Sequence, residues 1–141
     1  MRKKHSRQIL RQPFATTPEG EYGYVTMFQD MIKSDAYAVL SGNACKVYIV
    51  LRSKYYGKGP PIVECAYSTF KKHGMNEHAV SKGTAELEAL GFITVSRHGG
   101  YPNITTQYTF SDKWKTIDVR QAKKVFEAKW KANHKSKTFK K

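Results

Sequence analysis

Between Ala66 and Phe110 the apolar positions fall into short blocks, most of them closed by glycine. Tyr67-Ser68-Thr69-Phe70-Lys71-Lys72-His73 reads as a short helix ended by Gly74, a residue that readily takes the left-handed conformation closing a helix. Met75 is expected to plug into a core, and Asn76 restarts the chain. Its side chain accepts hydrogen bonds from the free amides of a first turn, so Asn76 caps a helix from Glu77 to Leu90. Val80, Gly83, Leu87 and Leu90 share one face of that helix, where Gly83 is small enough for a close helix crossing; His78, Ser81, Lys82 and Ala85 look the other way. Gly91 stops the helix. The β-branched and aromatic run Phe92 to His98, turn chemistry over Gly99 to Asn103, and a second strand from Thr105 to Phe110 make a hairpin.

Ahead of this unit, Ala44, Val47, Tyr48, Leu51 and Tyr55 form a helical stripe. The run Val47 to Leu51 is also β-prone, but Ser41 as a cap and Gly57 as a stop at helical length favour a helix over Ala44 to Tyr56. Lys58-Gly59-Pro60-Pro61 is a loop, and Ile62-Val63-Glu64-Cys65 a short strand expected beside the hairpin. Further upstream, Tyr22 to Met27 is expected to be extended, and Ser34 to cap a brief helix from Asp35 to Leu40. Downstream, Val119, Ala122, Phe126 and Trp130 make the stripe of an amphipathic helix capped by Asp118, with Arg120, Lys123, Lys124 and Lys131 off the stripe. Left free, this helix would expose large apolar area at Phe126 and Trp130. Docking on the core is therefore expected, with pairing to a second copy or ordering on a partner as the alternatives.

With 141 residues, 40% of them hydrophobic, the chain supports one modest core and not two ordinary domains. It divides into a basic flexible arm (1–21), a globular domain (22–115) and a basic C-terminal helix and tail (116–141). No apolar run is longer than the five residues from Val47 to Leu51, far short of a membrane span, and Met1-Arg2-Lys3-Lys4 lacks the apolar segment of a signal peptide. A cytoplasmic, nucleoid-associated protein with no membrane partner is expected. Cys45 and Cys65 are expected to be buried thiols, and neither they nor the five histidines show metal-ligand spacing, so no metal or cofactor is expected.

The formal net charge is +14, and its placement matters more than its size. Residues 1–13 carry five Lys/Arg and no acid; residues 116–141 carry nine against Asp118 and Glu127; residues 14–115 carry eleven against nine. Basic ends suit a polyanion, because each neutralised phosphate releases condensed counterions.

The order of elements is that of an α+β winged helix-turn-helix: a three-helix core with a β-hairpin wing, short N-terminal elements and a basic amphipathic C-terminal helix. Leu40-Ser41-Gly42-Asn43-Ala44, Lys46-Val47-Tyr48, Tyr67-Ser68, Lys72-His73-Gly74-Met75, Ser81-Lys82-Gly83, Glu86 to Ile93 and Tyr108-Thr109-Phe110-Ser111-Asp112-Lys113-Trp114 carry the likeness. Over roughly residues 22 to 115 the chain resembles the winged-helix family, and more narrowly the small basic winged-helix proteins of Gram-positive phages, plasmids and integrative elements. The resemblance implies non-catalytic binding of double-stranded DNA, in transcriptional regulation or as a replication or transfer accessory.

On that analogy the outer N-terminal half of the second helix enters the major groove, where base edges differ in donors and acceptors. Asn76, Glu77, His78, Ser81 and Lys82 are the base-reading candidates. Ser68, Thr69, Lys71 and Lys72 are candidates for phosphate contact; the wing offers Arg97, His98, Tyr101 and Asn103, to enter the minor groove or run along the backbone. Arg2, Lys3, Lys4 and Arg7 form one basic arm, Lys123 and Lys124 part of the other. The reading helix holds no arginine, so modest sequence discrimination is expected. Three rival classes stand beside this reading. An enzyme is disfavoured by scattered acids and by the lack of a phosphate-binding glycine loop, and no small-molecule substrate is evident. An RNA binder could stack bases on Tyr55, Tyr56 and Tyr101 but has no matching motif. A protein-interaction module would use the C-terminal helix to form a homodimer or recruit replication or transfer machinery.

Overall fold

The computed structural model describes residues 25–55, 59–99 and 104–138, with side chains described as far as residue 133. Over these residues the protein is α+β, with helices α1 (Gln29–Ile32), α2 (Asp35–Ala38), α3 (Gly42–Ser53), α4 (Tyr67–Lys72), α5 (Glu77–Ala89) and α6 (Val119–Thr138). Strands β1 (Ile62–Glu64), β2 (Ile93–Arg97) and β3 (Gln107–Phe110) form one antiparallel sheet in the order β1-β3-β2.

The helix ends follow from the residues at them. Ser34, Ser41 and Asn76 each turn a side-chain oxygen to an amide three residues on, at Tyr37, Ala44 and Ala79. Both glycine stops are complete Schellman motifs. After α4, the Gly74 amide donates to Lys71 O and the Met75 amide to Phe70 O; after α5, Gly91 donates to Glu88 O and Phe92 to Leu87 O. Gly74 and Gly91 sit at φ +81° and +85°, and the apolar pairs Phe70 with Met75 and Leu87 with Phe92 are all buried.

Some boundaries differ from expectation. α2 ends at Ala38 instead of running to Leu40, because Ser41 must be extended (φ −71°, ψ 160°) to cap α3. With that cap in place α3 begins at Gly42 rather than Ala44. It stops at Ser53, where the Lys54 amide turns back to Leu51 O, and Tyr55 leaves the helix to meet Phe110 with ring centroids 5.9 Å apart. Helix α1 was not expected; Phe28 precedes it without a side-chain cap, and only Met31 of its residues is buried. The expected roles of Tyr22 to Tyr24, Tyr56, Gly57 and the hairpin tip 100–103 lie outside the described residues.

The core lies between α3, α5 and the sheet. Gly83 fits against α3, where an added Cβ would come within 2.9 Å of Val47 Cγ2 and 3.2 Å of Asn43 O. In the sheet Val63 and Val95 flank Tyr108, and Ile93 faces Phe110. The register slips between Val95 and Arg97, a bulge at Ser96. Phe92 stacks on Trp114 at 6.0 Å, tying the segment after the sheet to the core.

Candidate nucleic-acid interface

Helix α5 is held on three sides, and this determines what its expected base-reading residues can do. Its inner face meets α3 through Gly83, and the hairpin flanks a second side, where Glu88 Oε2 accepts a 2.9 Å hydrogen bond from the Val95 amide. Helix α6 lies along the third. Phe126 is only 6% exposed, and the Trp130 ring meets His78 edge-on with centroids 5.8 Å apart. The stripe Ala122, Phe126, Trp130 faces Ala85 and Ala89 of α5 across an open cavity of about 510 Å³. The expectation that the C-terminal helix docks on the folded domain therefore holds.

A buried carboxylate joins these parts. Glu86, 1% exposed, accepts hydrogen bonds from the Ser41 amide at 2.6 Å and the Ser41 hydroxyl at 2.9 Å, and pairs with Lys123 Nζ at 3.2 Å. One side chain of α5 thus reaches the cap of α3 and the first turns of α6. A carboxylate this deep is tolerable because its oxygens are occupied by donors.

The expected site residues separate into distinct settings. Asn76 is exposed and caps α5; Glu77 and Ser81 are exposed on the hairpin side, lining with Thr84, Glu88 and His98 a cavity of about 350 Å³. Thr84 Oγ1 is buried near the Tyr108 hydroxyl without a partner at hydrogen-bond geometry. His78 lies beside Trp130, and Lys82 is half-buried. On α4, Ser68, Lys71 and Lys72 are exposed and Thr69 is half-buried, its carbonyl accepting from His73 Nδ1 at 2.8 Å.

Two expected cations are engaged within the fold. Arg97, offered by the hairpin for DNA, stays exposed, and its guanidinium donates to Glu64 Oε2 at 2.8 Å and to Thr105 O at 2.9 Å. Strand pairing brings Glu64 and Arg97 to either side of Gln107, which draws the arginine across the sheet. Lys123 was expected off the apolar stripe. It turns inward instead, because Glu86 offers a buried carboxylate. Lys124 remains exposed, as do Arg120 and Lys131 of α6. Arg2, Lys3, Lys4, Arg7, Tyr101 and Asn103 lie outside the described residues.

Sequence reasoning missed one nearby cation. Lys46 of α3 is exposed, and its Nζ lies 3.7 Å from where a Cβ on Gly74 would stand, beside Lys71 and Lys72. The turn between α4 and α5 is thus edged by three lysines, while the opposite, hairpin side of α5 carries Glu77 and Glu88. The signal was Lys46 itself, a cation off the apolar stripe of α3, but only the fold places it at Gly74.

The remaining chemistry is quiet. Burial raises the Cys65 thiol above its usual value of 9.0, which disfavours the thiolate. Cys45 was expected to be buried but is only half so; its thiol holds the Tyr37 hydroxyl above the usual tyrosine value of 10.0, first through hydrogen bonding and then through charge. Among the described residues, no group of three or more His, Cys, Asp or Glu could hold a metal ion, and no helix is long and apolar enough to cross a membrane. Comparison with protein-family models, curated proteins and solved structures finds no match.

Proposed function

We propose that this chain is a winged helix-turn-helix protein that binds double-stranded DNA without catalysis, as a transcriptional regulator or as a replication or transfer accessory of a mobile element. In this reading α3, α4 and α5 are the three-helix core, and β2 and β3 the wing, with β1 as the third strand. The observation that carries it is the turn from α4 to α5: a Schellman stop at Gly74, an Asn76 cap, and Lys46, Lys71 and Lys72 exposed around them. Free amides at a helix start beside three cations suit a phosphate strand, and set the N-terminal turn of α5 toward a groove.

Charge supports the reading from a second direction. The chain carries +14, and the exposed Arg120, Lys124 and Lys131 recur along α6 at spacings of four and seven. Glu77 and Glu88 repel phosphate on the hairpin side, so the backbone would run past the α4 end and α6. Sequence discrimination then falls mainly to Ser81, Asn76 and Lys82, with no arginine to grip guanine.

Selection of bound fragments from a random duplex pool at physiological salt, with single-stranded RNA as competitor, tests this function. An enriched motif is the expected result. Capture by RNA, or no retention of duplex, would overturn it.

A further inference from the structure

Resting on the DNA reading above, we propose that helix α6 is a displaceable cover over the outer face of α5, and that duplex DNA and α6 compete for that face. His78, Lys82, Ala85 and Ala89 follow at helical spacing on the side of α5 turned away from Gly83 and α3. That side is where a base-reading helix must be open. Here Trp130 sits against His78 in the first turn of α5, and Ala85 and Ala89 face Ala122 and Phe126 farther along. The contacts of α6 thus reach from the first turn of α5 to its last, although His78 and Ala89 keep exposed surface at the two ends.

Three features make the cover separable. The seam is loosely filled: Ala85, Ala89 and Ala122 leave an open cavity of about 510 Å³, and Val125 at its edge is 54% exposed. Glu86 is not stranded when Lys123 leaves, because the Ser41 amide and hydroxyl still donate to its two oxygens. The outer face of α6 is cationic at Arg120, Lys124 and Lys131, so an approaching polyanion attracts the same helix that must move. DNA then lifts α6 from α5, keeps its positive charge as phosphate contacts, and gains the face beneath.

The test is a Phe126→Ala/Trp130→Ala double variant, which weakens the seam without changing charge. A cover closed about nine-tenths of the time reduces apparent affinity about tenfold, so the variant should bind a random-sequence duplex about tenfold more tightly with the same salt slope. A second measurement uses the intact helix. Trp114→Phe leaves Trp130 as the sole tryptophan, and its emission should move to the red when the duplex is added. Unchanged or weaker binding by a folded double variant, or Trp130 emission that stays put on DNA-saturated protein, overturns the cover alone. Failure of every form to bind duplex overturns the DNA reading itself.

Discussion

Replacing Gly83 by alanine tests the helix crossing on which the position of α5 depends. In an exposed helix interior the change would stabilise the fold by about 1 kcal/mol, through lower backbone entropy in the unfolded chain and better helix propensity. Here the new methyl would stand 2.9 Å from Val47 Cγ2, 3.2 Å from Asn43 O and 3.3 Å from Ala44 Cα. Two of those atoms are backbone, and Val47 is β-branched and held to one rotamer in a helix, so α3 and α5 must separate. Overpacking of this kind costs about 1–3 kcal/mol, leaving a net loss of about 1 kcal/mol. Gly42→Ala is the control. Nothing lies within 4 Å of its added Cβ, so it should be neutral or slightly stabilising. Urea unfolding followed by circular dichroism resolves the pair: with a slope of about 1–2 kcal/mol per molar, the Gly83→Ala midpoint should fall by about 0.5–1 M. A Gly83→Ala protein as stable as the parent would mean that α3 and α5 do not meet at this point.

Glu86→Ala should cost about 1–3 kcal/mol, since it leaves the Ser41 amide without its acceptor and releases Lys123, and should raise hydrogen exchange in the first turns of both α3 and α6; exchange confined to α5 would refute the three-way junction. Stability should also fall in alkali. Burial raises Cys65 above 9.0 and Tyr48 and Tyr108 above 10.0, so the folded state holds protons that the unfolded chain releases. That contribution is complete below about pH 9 and is lost as pH climbs through the raised values. Melting temperatures from pH 7 to 11 should be flat and then decline, with a shallower decline for Tyr108→Phe. For the proposed DNA contacts, Lys71→Ala or Lys72→Ala should weaken all duplexes and lower the salt slope by about one each, whereas Lys82→Ala should alter sequence preference. Equal losses on every sequence would remove Lys82 from the reading set.

Local chemistry was legible in the sequence wherever one residue decides a backbone conformation. Asn76, Ser41 and Ser34 announce helix starts, and Gly74 and Gly91 announce stops, because cap bonds and positive φ involve neighbours within a few positions. Helix α1, four residues behind an uncapped Phe28, is too short to show a period. Glu86 was invisible for another reason: an acid in a helix looks solvated until Ser41 and Lys123, far apart in the chain, converge on it. Arg97 found Glu64 in the same way, through strand pairing. The seat of α6 had a faint signal. Ala85 and Ala89 stand on a face otherwise made of Glu77, His78, Ser81, Lys82 and Glu88, and small apolar residues there mark a contact, although they do not say with which helix.

The strand order carries a consequence for how the molecule opens. β2 and β3 are neighbours in the chain and close a short loop, but β1 pairs with β3 only after α4, α5 and β2 have been threaded between them. Closing that longer loop has the greater entropic cost and comes late in folding. β1 is also a three-residue edge strand with two of its side chains exposed. Within the body formed by α3, α5 and the sheet, the first partial unfolding event should therefore be the release of β1. Cys65, whose amide donates a hydrogen bond to Thr106 O just ahead of β3 and which is 1% exposed, leaves with it. Its thiol thus acts as a clock, and its rate of alkylation in native buffer reads the opening of this edge while the α3–α5 pair stays closed.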